Sequence, residues 1–176
     1  PGTDREIFSH DELIEAFSLE RVNKAGAVFD YKKLDWMNGE YLKSRDPHEL
    51  ASELLPALTT RGYQYIEPAY VAAVIALVRE RVHFLKDVTD FADYLFGDVL
   101  SPLSDELAAS ISGNDTLRTA VKTFRDGLND ATIADLDAFK GLSQSAAESA
   151  GLKMGAFMKP LRLILTHREV GADLFG

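Results

Sequence analysis

The sequence predicts an all-α protein, built as helical bundle subdomains in series. Helix start and stop signals recur along its 176 residues, apolar residues between them keep helical spacing, and almost no stretch alternates as a strand would. The connections between the helical segments are short, so consecutive helices should pack as antiparallel neighbours.

The first half contains four helix starts. The signals are capping side chains or prolines ahead of an apolar run, at Ser9 with Glu12, Asp30, Asp46 with Pro47, and Pro68. The second helix should end near Ser44 and the third before Gly62. The helix from Pro68 should be longer, with Val82 still on its buried face, which would place Arg81 at the margin of that face.

Two breaks, near Asp46 and near Ser104, divide the chain. They give three segments, residues 1–45, 46–103 and 104–176. In the third segment we expect helices over 114–127 and 132–150, and Pro160 should mark a kink or a new helix start.

Composition limits the classes of function. The chain has no cysteine, which excludes disulfides, thiolate catalysis and cysteine-ligated zinc and favours a cytoplasmic location. No apolar run approaches the ~18–20 residues of a membrane span, and no signal peptide is visible. We expect no membrane contact and a monomer. The net charge of −9 argues against a sequence-blind nucleic-acid binder, but not against a few local contacts.

Sequence motifs of catalysis and metal binding are absent. The four histidines have no paired spacing and no acidic cluster beside them, and the phosphate-loop, dinucleotide and nucleophile-elbow patterns do not occur. We therefore expect no catalytic residue and no metal ligand in this chain.

The stretch DYKKLDWMNGEYLK presents two faces of one helix. An apolar stripe that should face a core is formed by Leu34, Met37, Tyr41 and Leu42, and a second stripe by Lys33, Trp36, Glu40 and Lys43. Trp36 either fills a groove against a neighbouring helix or, flanked by lysines, lies against a nucleic-acid backbone. The Asn38-Gly39 pair indicates a place where another backbone comes close.

Two arginines occupy positions where a charge needs a partner. Arg81 is either paired with a carboxylate or directed at a planar polar target. Arg162 stands in the apolar run KPLRLILT, where its guanidinium must reach a surface or a hydrogen-bond partner. The segment from Gly151 onward, which includes Lys153, is locally basic within an acidic chain.

Three stretches carry a family resemblance. EAFSLERVNKAGAVFDYKKLDWMNGEYL is similar to the segment that follows the catalytic domain of bacterial glutamyl-tRNA synthetases, LKMGAFMKPLRLILT resembles a motif near their end, and GADLF resembles their GPDLF. The resemblance covers essentially the whole chain. It implies the C-terminal part of such a class I synthetase, with a stem-contact helical segment followed by two α-helical anticodon-binding subdomains.

The resemblance also implies roles for this piece. The complete enzymes join L-glutamate to tRNA(Glu) using ATP and Mg²⁺ in a catalytic domain, whose HIGH-type and KMSKS-type motifs do not occur here. The piece would therefore bind tRNA(Glu) without a cofactor of its own. Expected contacts with the tRNA stem or backbone are Lys33, Trp36 and Lys153. Expected anticodon contacts are Arg81 at the third base, Arg162 at the first base, and Leu174 and Phe175 as apolar walls.

The sequence departs from the family near its end. Thr166-His167 stands where the family usually has Thr-Gly, and Ala172 replaces the proline of GPDLF. The resemblance therefore leaves open the geometry of the loop around Leu174 and Phe175. A non-catalytic helical protein-interaction module is the alternative function, because an acidic chain of amphipathic helices permits it.

Overall fold

The computed structural model describes residues 5–22, 26, 28–64, 66–97 and 102–175. It forms two compact units, Pro1–Phe96 and Gly97–Gly176. Within the described residues every regular element is a helix, which confirms the predicted all-α class. The division into three segments stays a prediction.

The first unit is built from five helices and three short 3₁₀ turns in its described part. The helices are α1 (His10–Ala16), α2 (Tyr31–Ser44), α3 (Pro47–Thr60), α4 (Pro68–Val78) and α5 (Asp87–Phe91), and the 3₁₀ turns are Leu19–Arg21, Arg79–Arg81 and Asp93–Leu95. The side chains of Ser9, Asp30 and Asp46 accept backbone N–H groups of the first turns, so these predicted caps are confirmed.

The core of this unit lies between α3 and α4, which pack against each other. Its fully or nearly fully buried side chains include Leu50, Leu54, Leu58, Val71, Ile75 and Val78. Each set follows helical spacing, so each helix turns one apolar face to the other.

Helix α4 is shorter than the sequence predicts. It ends at Val78, the turn Arg79–Arg81 follows, and Val82 is extended with φ −122° and ψ 148°. Val82 is buried all the same, at 3% exposure. The prediction that placed Arg81 on the margin of a helical face was therefore wrong: Arg81 lies on a 3₁₀ turn after the helix. The residues after the helix make contacts with α2, which are described below.

The second unit contains the remaining helices of the described chain. They are α6 (Asp105–Ser112), α7 (Asp115–Gly127), α8 (Asp130–Ala134), α9 (Leu136–Ser149) and α10 (Met154–Thr166). The buried core joins small residues of α7 and α9 to aromatic and leucine side chains, and consists of Ala120, Phe124, Ala146, Ala147, Phe157 and Leu161.

One prediction for the second unit needs correction, and another loses one of its two alternatives. The single helix expected over 132–150 is two helices, because Asp135 is extended and its carboxylate accepts the N–H groups of Asp137 and Ala138, which starts α9 afresh. Of the two alternatives for Pro160, a kink or a new helix start, the new start is excluded, because Pro160 lies inside α10.

No helix in the described ranges is long and apolar enough to cross a membrane. The same residues contain no group of three or more histidine, aspartate or glutamate side chains placed to hold a metal ion.

Candidate nucleic-acid interface

The solvent-facing surface of α2 carries two of the expected RNA contacts. Trp36 is 39% exposed, so part of the indole is open to a ligand. Lys33 is exposed as well, but its ammonium forms an ion pair with the carboxylate of Glu6. A phosphate that binds Lys33 must therefore compete with Glu6.

The apolar stripe of α2 is only half used for packing. Leu42 is buried and Met37 is half-buried, but Leu34 and Tyr41 are 48% and 40% exposed, so their predicted burial was wrong. Tyr41 has another use: its hydroxyl donates to the carbonyl of Phe8 at 2.6 Å and accepts the Phe8 N–H at 3.3 Å. The residues before α1 are thereby held on α2.

A capping box starts the neighbouring helix α1. The Glu12 carboxylate accepts the backbone N–H of Ser9 at 2.8 Å and the guanidinium of Arg5 at 2.6 Å. The hydrogen bond from Arg5, followed by that from Ser9, lowers the pKa of Glu12 to about 2. This carboxylate therefore stays charged in moderately acidic solution.

The Asn38-Gly39 pair of α2 receives His83. The Asn38 side-chain amide donates to the backbone carbonyl of His83. A Cβ on Gly39 would lie 2.8 Å from His83 Nδ1 and 3.6 Å from His83 Cα. His83 therefore approaches this pair closely, as the sequence predicts, but the prediction of a backbone against Gly39 was only partly right: the backbone carbonyl of His83 meets Asn38, whereas the atom nearest the Gly39 Cβ position belongs to the His83 imidazole.

The end of α2 is joined to the turn that follows α4. Arg79 Nη1 donates to the carbonyl of Lys43 at 3.1 Å. The Lys43 ammonium lies 2.8 Å from Glu40 and 3.4 Å from Glu80, and its hydrogen bond with Glu40 is the main reason that the pKa of Lys43 is raised. Lys43 therefore serves contacts within the protein.

Arg81 lies between the residues that contact α2, which are Arg79 and Glu80 before it and His83 after it. Its side chain is exposed and makes no ion pair or hydrogen bond with any residue that the structure describes. The sequence left two alternatives for Arg81, a carboxylate partner or a planar polar target outside the chain. No carboxylate partner is found among the described residues. The guanidinium is open to solvent.

In the second unit, Arg162 holds the GADLF stretch. It is half-buried on α10, and its Nη1 donates to the carbonyl of Ala172, which is itself 4% exposed. The partner that the sequence requires for this arginine is thus a backbone oxygen. Leu174, two residues further on, packs against the core of the second unit.

Phe175 completes this group. Its ring lies edge-on to that of Phe139 with 6.0 Å between centroids, and the ammonium of Lys140 is 5.7 Å from its centroid. Arg162 thus binds the backbone of the stretch that also carries Leu174 and Phe175, so three of the expected anticodon contacts belong to one region of the second unit. The sequence analysis missed Lys140, because only the tertiary fold places it over Phe175.

The two ends of α10 differ in their relation to this group. Lys153 precedes the helix as its N-cap residue, is exposed, and has no described contact with Arg162 or the loop. At the other end His167 is left-handed, with φ 57° and ψ 20°. This is the position where the family usually has glycine, and a left-handed C-terminal residue explains that preference.

Comparisons with known proteins agree with this architecture. Residues 49–176 match the anticodon binding domain family. The glutamate–tRNA ligase of Flavobacterium psychrophilum is 35% identical over 177 residues, which are 99% of this chain and 34% of that protein. The ligase of Synechocystis sp. is 36% identical over 179 residues, which are 99% of this chain and 36% of that protein.

Solved structures give the same picture. The crystal structure of the glutamate-tRNA synthetase from Elizabethkingia anophelis is similar with a TM-score of 0.78 at 27% identity, over 99% of this chain and 34% of that one. The chain thus spans about a third of the length of these relatives and corresponds to their C-terminal part. Because the family match covers well over half of its residues, the chain belongs to the anticodon binding domain family.

Proposed function

We propose that this chain is the tRNA-selecting part of a glutamate–tRNA ligase and that it binds the anticodon of tRNA(Glu). The observation that carries the proposal is the exposed guanidinium of Arg81. It lies inside the matched range 49–176 and has no carboxylate partner among the described residues, in a chain of net charge −9. A planar cation without an internal partner suits the edge of a nucleotide base.

The group around Arg162 supports the same function. Sequence-specific RNA recognition uses unstacked bases that lie against arginine planes and aromatic or apolar walls. Arg162, Leu174 and Phe175 offer these three kinds of surface in one loop region of the second unit. A base that stacks on such an aromatic side chain gains about 1–3 kcal/mol.

In this proposal the chain supplies selection and leaves the chemistry to the rest of the ligase. ATP and Mg²⁺ would act in the catalytic part, and this chain would work in the cytoplasm as a monomer. Lys33, Trp36 and Lys153 would contribute contacts to the stem or backbone that carry little base specificity.

Titration of the chain with an unmodified tRNA(Glu) transcript tests the proposal. A second transcript with the anticodon replaced and the stem unchanged is the matched control. We expect saturable binding that weakens with salt and that falls at least about tenfold, or 1.4 kcal/mol, when the anticodon is replaced. Binding at low salt to neither transcript would contradict the proposal and favour a helical protein-interaction module.

A further inference from the structure

We infer that Asn38 and Gly39 are positioning residues for Arg81. They seat the turn that carries Arg81 on α2, and so set the direction from which its guanidinium meets a base. The inference rests on the proposed function of Arg81 and deepens it, because it makes the fidelity of base recognition depend on a helix that does not itself contact the base.

The turn is anchored to α2 on both sides of Arg81. On the near side, Arg79 donates to the carbonyl of Lys43 at 3.1 Å, and Glu80 lies 3.4 Å from the Lys43 ammonium. On the far side, the carbonyl of His83 accepts the Asn38 amide, and the imidazole of His83 fits against Gly39.

Arg81 depends on these anchors because its own exposed side chain makes no hydrogen bond or ion pair with a described residue. A 3₁₀ turn of three residues is too short to be rigid by itself. The point and direction in which the Arg81 side chain leaves the chain are therefore set by its backbone. That backbone is held by the anchored residues on either side and by Val82, which is buried in the core.

Gly39 shows how specific the far anchor is. Glycine in the middle of a helix is less stable than alanine, yet α2 has glycine at the point where His83 approaches. A Cβ there would meet His83 Nδ1 at 2.8 Å, a separation that side-chain carbons essentially never show. The imidazole would have to shift, and we expect the shift to disturb the neighbouring hydrogen bond from Asn38 to the His83 carbonyl.

The test is the discrimination of Gly39→Ala between a tRNA(Glu) transcript and the same transcript with the third anticodon base changed. We expect the dissociation constant for the changed transcript, divided by that for the tRNA(Glu) transcript, to fall at least about fivefold. A loss of this size is part of the discrimination that a well-placed charged hydrogen bond provides. Gly141→Ala is the matched control, because Gly141 is also inside a helix but has open space at its Cβ position. It should leave the ratio unchanged.

Two combinations separate positioning from general loss of stability. His83→Ala removes the atom nearest the new methyl group, so Gly39→Ala in that background should recover discrimination. In the background of Arg81→Gln, Gly39→Ala should have no further effect on the ratio. If Gly39→Ala does not fold, Asn38→Ala removes the hydrogen bond without adding volume and should lower the ratio in the same way.

The outcomes separate the positioning role of α2 from the role of Arg81 itself. Normal discrimination by the wild-type chain with an unchanged ratio in the folded Gly39→Ala or Asn38→Ala variant overturns the inference alone. An equal loss with and without Arg81 overturns it too, since the effect then does not pass through that side chain. Absence of third-base discrimination in the wild-type chain overturns the role of Arg81 itself and, with it, this inference.

Discussion

His167→Gly should stabilise the second unit, although it removes a half-buried side chain. His167 ends α10 with φ 57°, and it is the only residue other than glycine with positive φ in the described part of the chain. A left-handed backbone conformation costs an L-residue about 1–2 kcal/mol, and glycine adopts it without that cost.

The magnitude follows from three terms. Release of the left-handed strain favours the variant by about 1–2 kcal/mol, and the extra freedom of glycine in the unfolded chain opposes it by about 0.5–1 kcal/mol. The imidazole lines a cleft with Leu107 and Leu163, and losing it removes a few tenths more. The net gain should be about 0.5 kcal/mol, or about 1–2 °C in Tm for a chain of this size.

Equilibrium unfolding in urea measures this difference, with helix content as the signal. His167→Ala is the control, because it removes the imidazole but keeps the Cβ and hence the strain. We expect the glycine variant to exceed the alanine variant by about 1 kcal/mol. Equal stabilities for the two variants would refute the reasoning, since the strain released at this residue would then be no larger than the entropic cost of glycine in the unfolded chain.

Three further predictions concern charged groups. Arg162→Ala should leave helix content unchanged and weaken tRNA binding about tenfold or more. The reason is that the GADLF stretch loses its charged hydrogen bond from Arg162 to the Ala172 carbonyl, and such bonds contribute about 1.5–3 kcal/mol. Glu6→Gln should tighten tRNA binding two- to threefold at low salt, because it frees Lys33 from an exposed ion pair of about 0.2–1 kcal/mol. The stabilising contribution of Glu12, whose folded-state pKa is lowered by Arg5, should be present above about pH 4.5 and be lost as pH falls toward 2.

Each of these predictions has its own check. Lys159→Ala, on the same helix as Arg162, should weaken binding less, because Lys159 is exposed and its ion pair at 3.7 Å is with Glu169, which precedes the GADLF stretch. Glu53→Gln is the control for Glu6→Gln, because it breaks an ion pair that does not involve Lys33. It should not tighten tRNA binding. An NMR titration that places the Glu12 pKa near 4.5 would contradict the acid-range prediction.

Helix starts could be predicted from the sequence because they depend on local chemistry. The carboxylates of Asp30 and Asp46 accept N–H groups only two or three residues further along the chain. Such an interaction is visible in a short window of sequence. The apolar periodicity of the stretch from Pro68 likewise predicted that Val82 is buried, and the predicted all-α class followed from both kinds of signal.

What failed depends on contacts between distant residues. The end of α4 was misplaced, and the chain beyond it makes a hydrogen bond between the Asn38 amide and the His83 carbonyl, 45 residues apart, which local spacing does not reveal. Tyr41 was expected in the core, but its hydroxyl binds the backbone of Phe8, 33 residues earlier. Helical spacing contains no information about such partners.

In the candidate site, too, the sequence predicts what local chemistry requires, and only the fold identifies the distant partners. The sequence shows that Arg162 needs a partner, but only the fold identifies the carbonyl of Ala172. The resemblance names Arg81, and the structure adds that its guanidinium is exposed on a turn anchored to α2. The roles of these residues at particular bases stay predictions.

The most direct measurement of the central claim is the effect of Arg81→Gln on third-base discrimination. In the full-length ligase, the ratio of charging between the glutamate and glutamine tRNAs would be compared for the wild-type and variant enzymes. The account predicts that the preference for the glutamate tRNA falls about tenfold or more, because a charged hydrogen bond to a base edge contributes about 1.5–3 kcal/mol. An unchanged ratio in a variant of normal activity would contradict it.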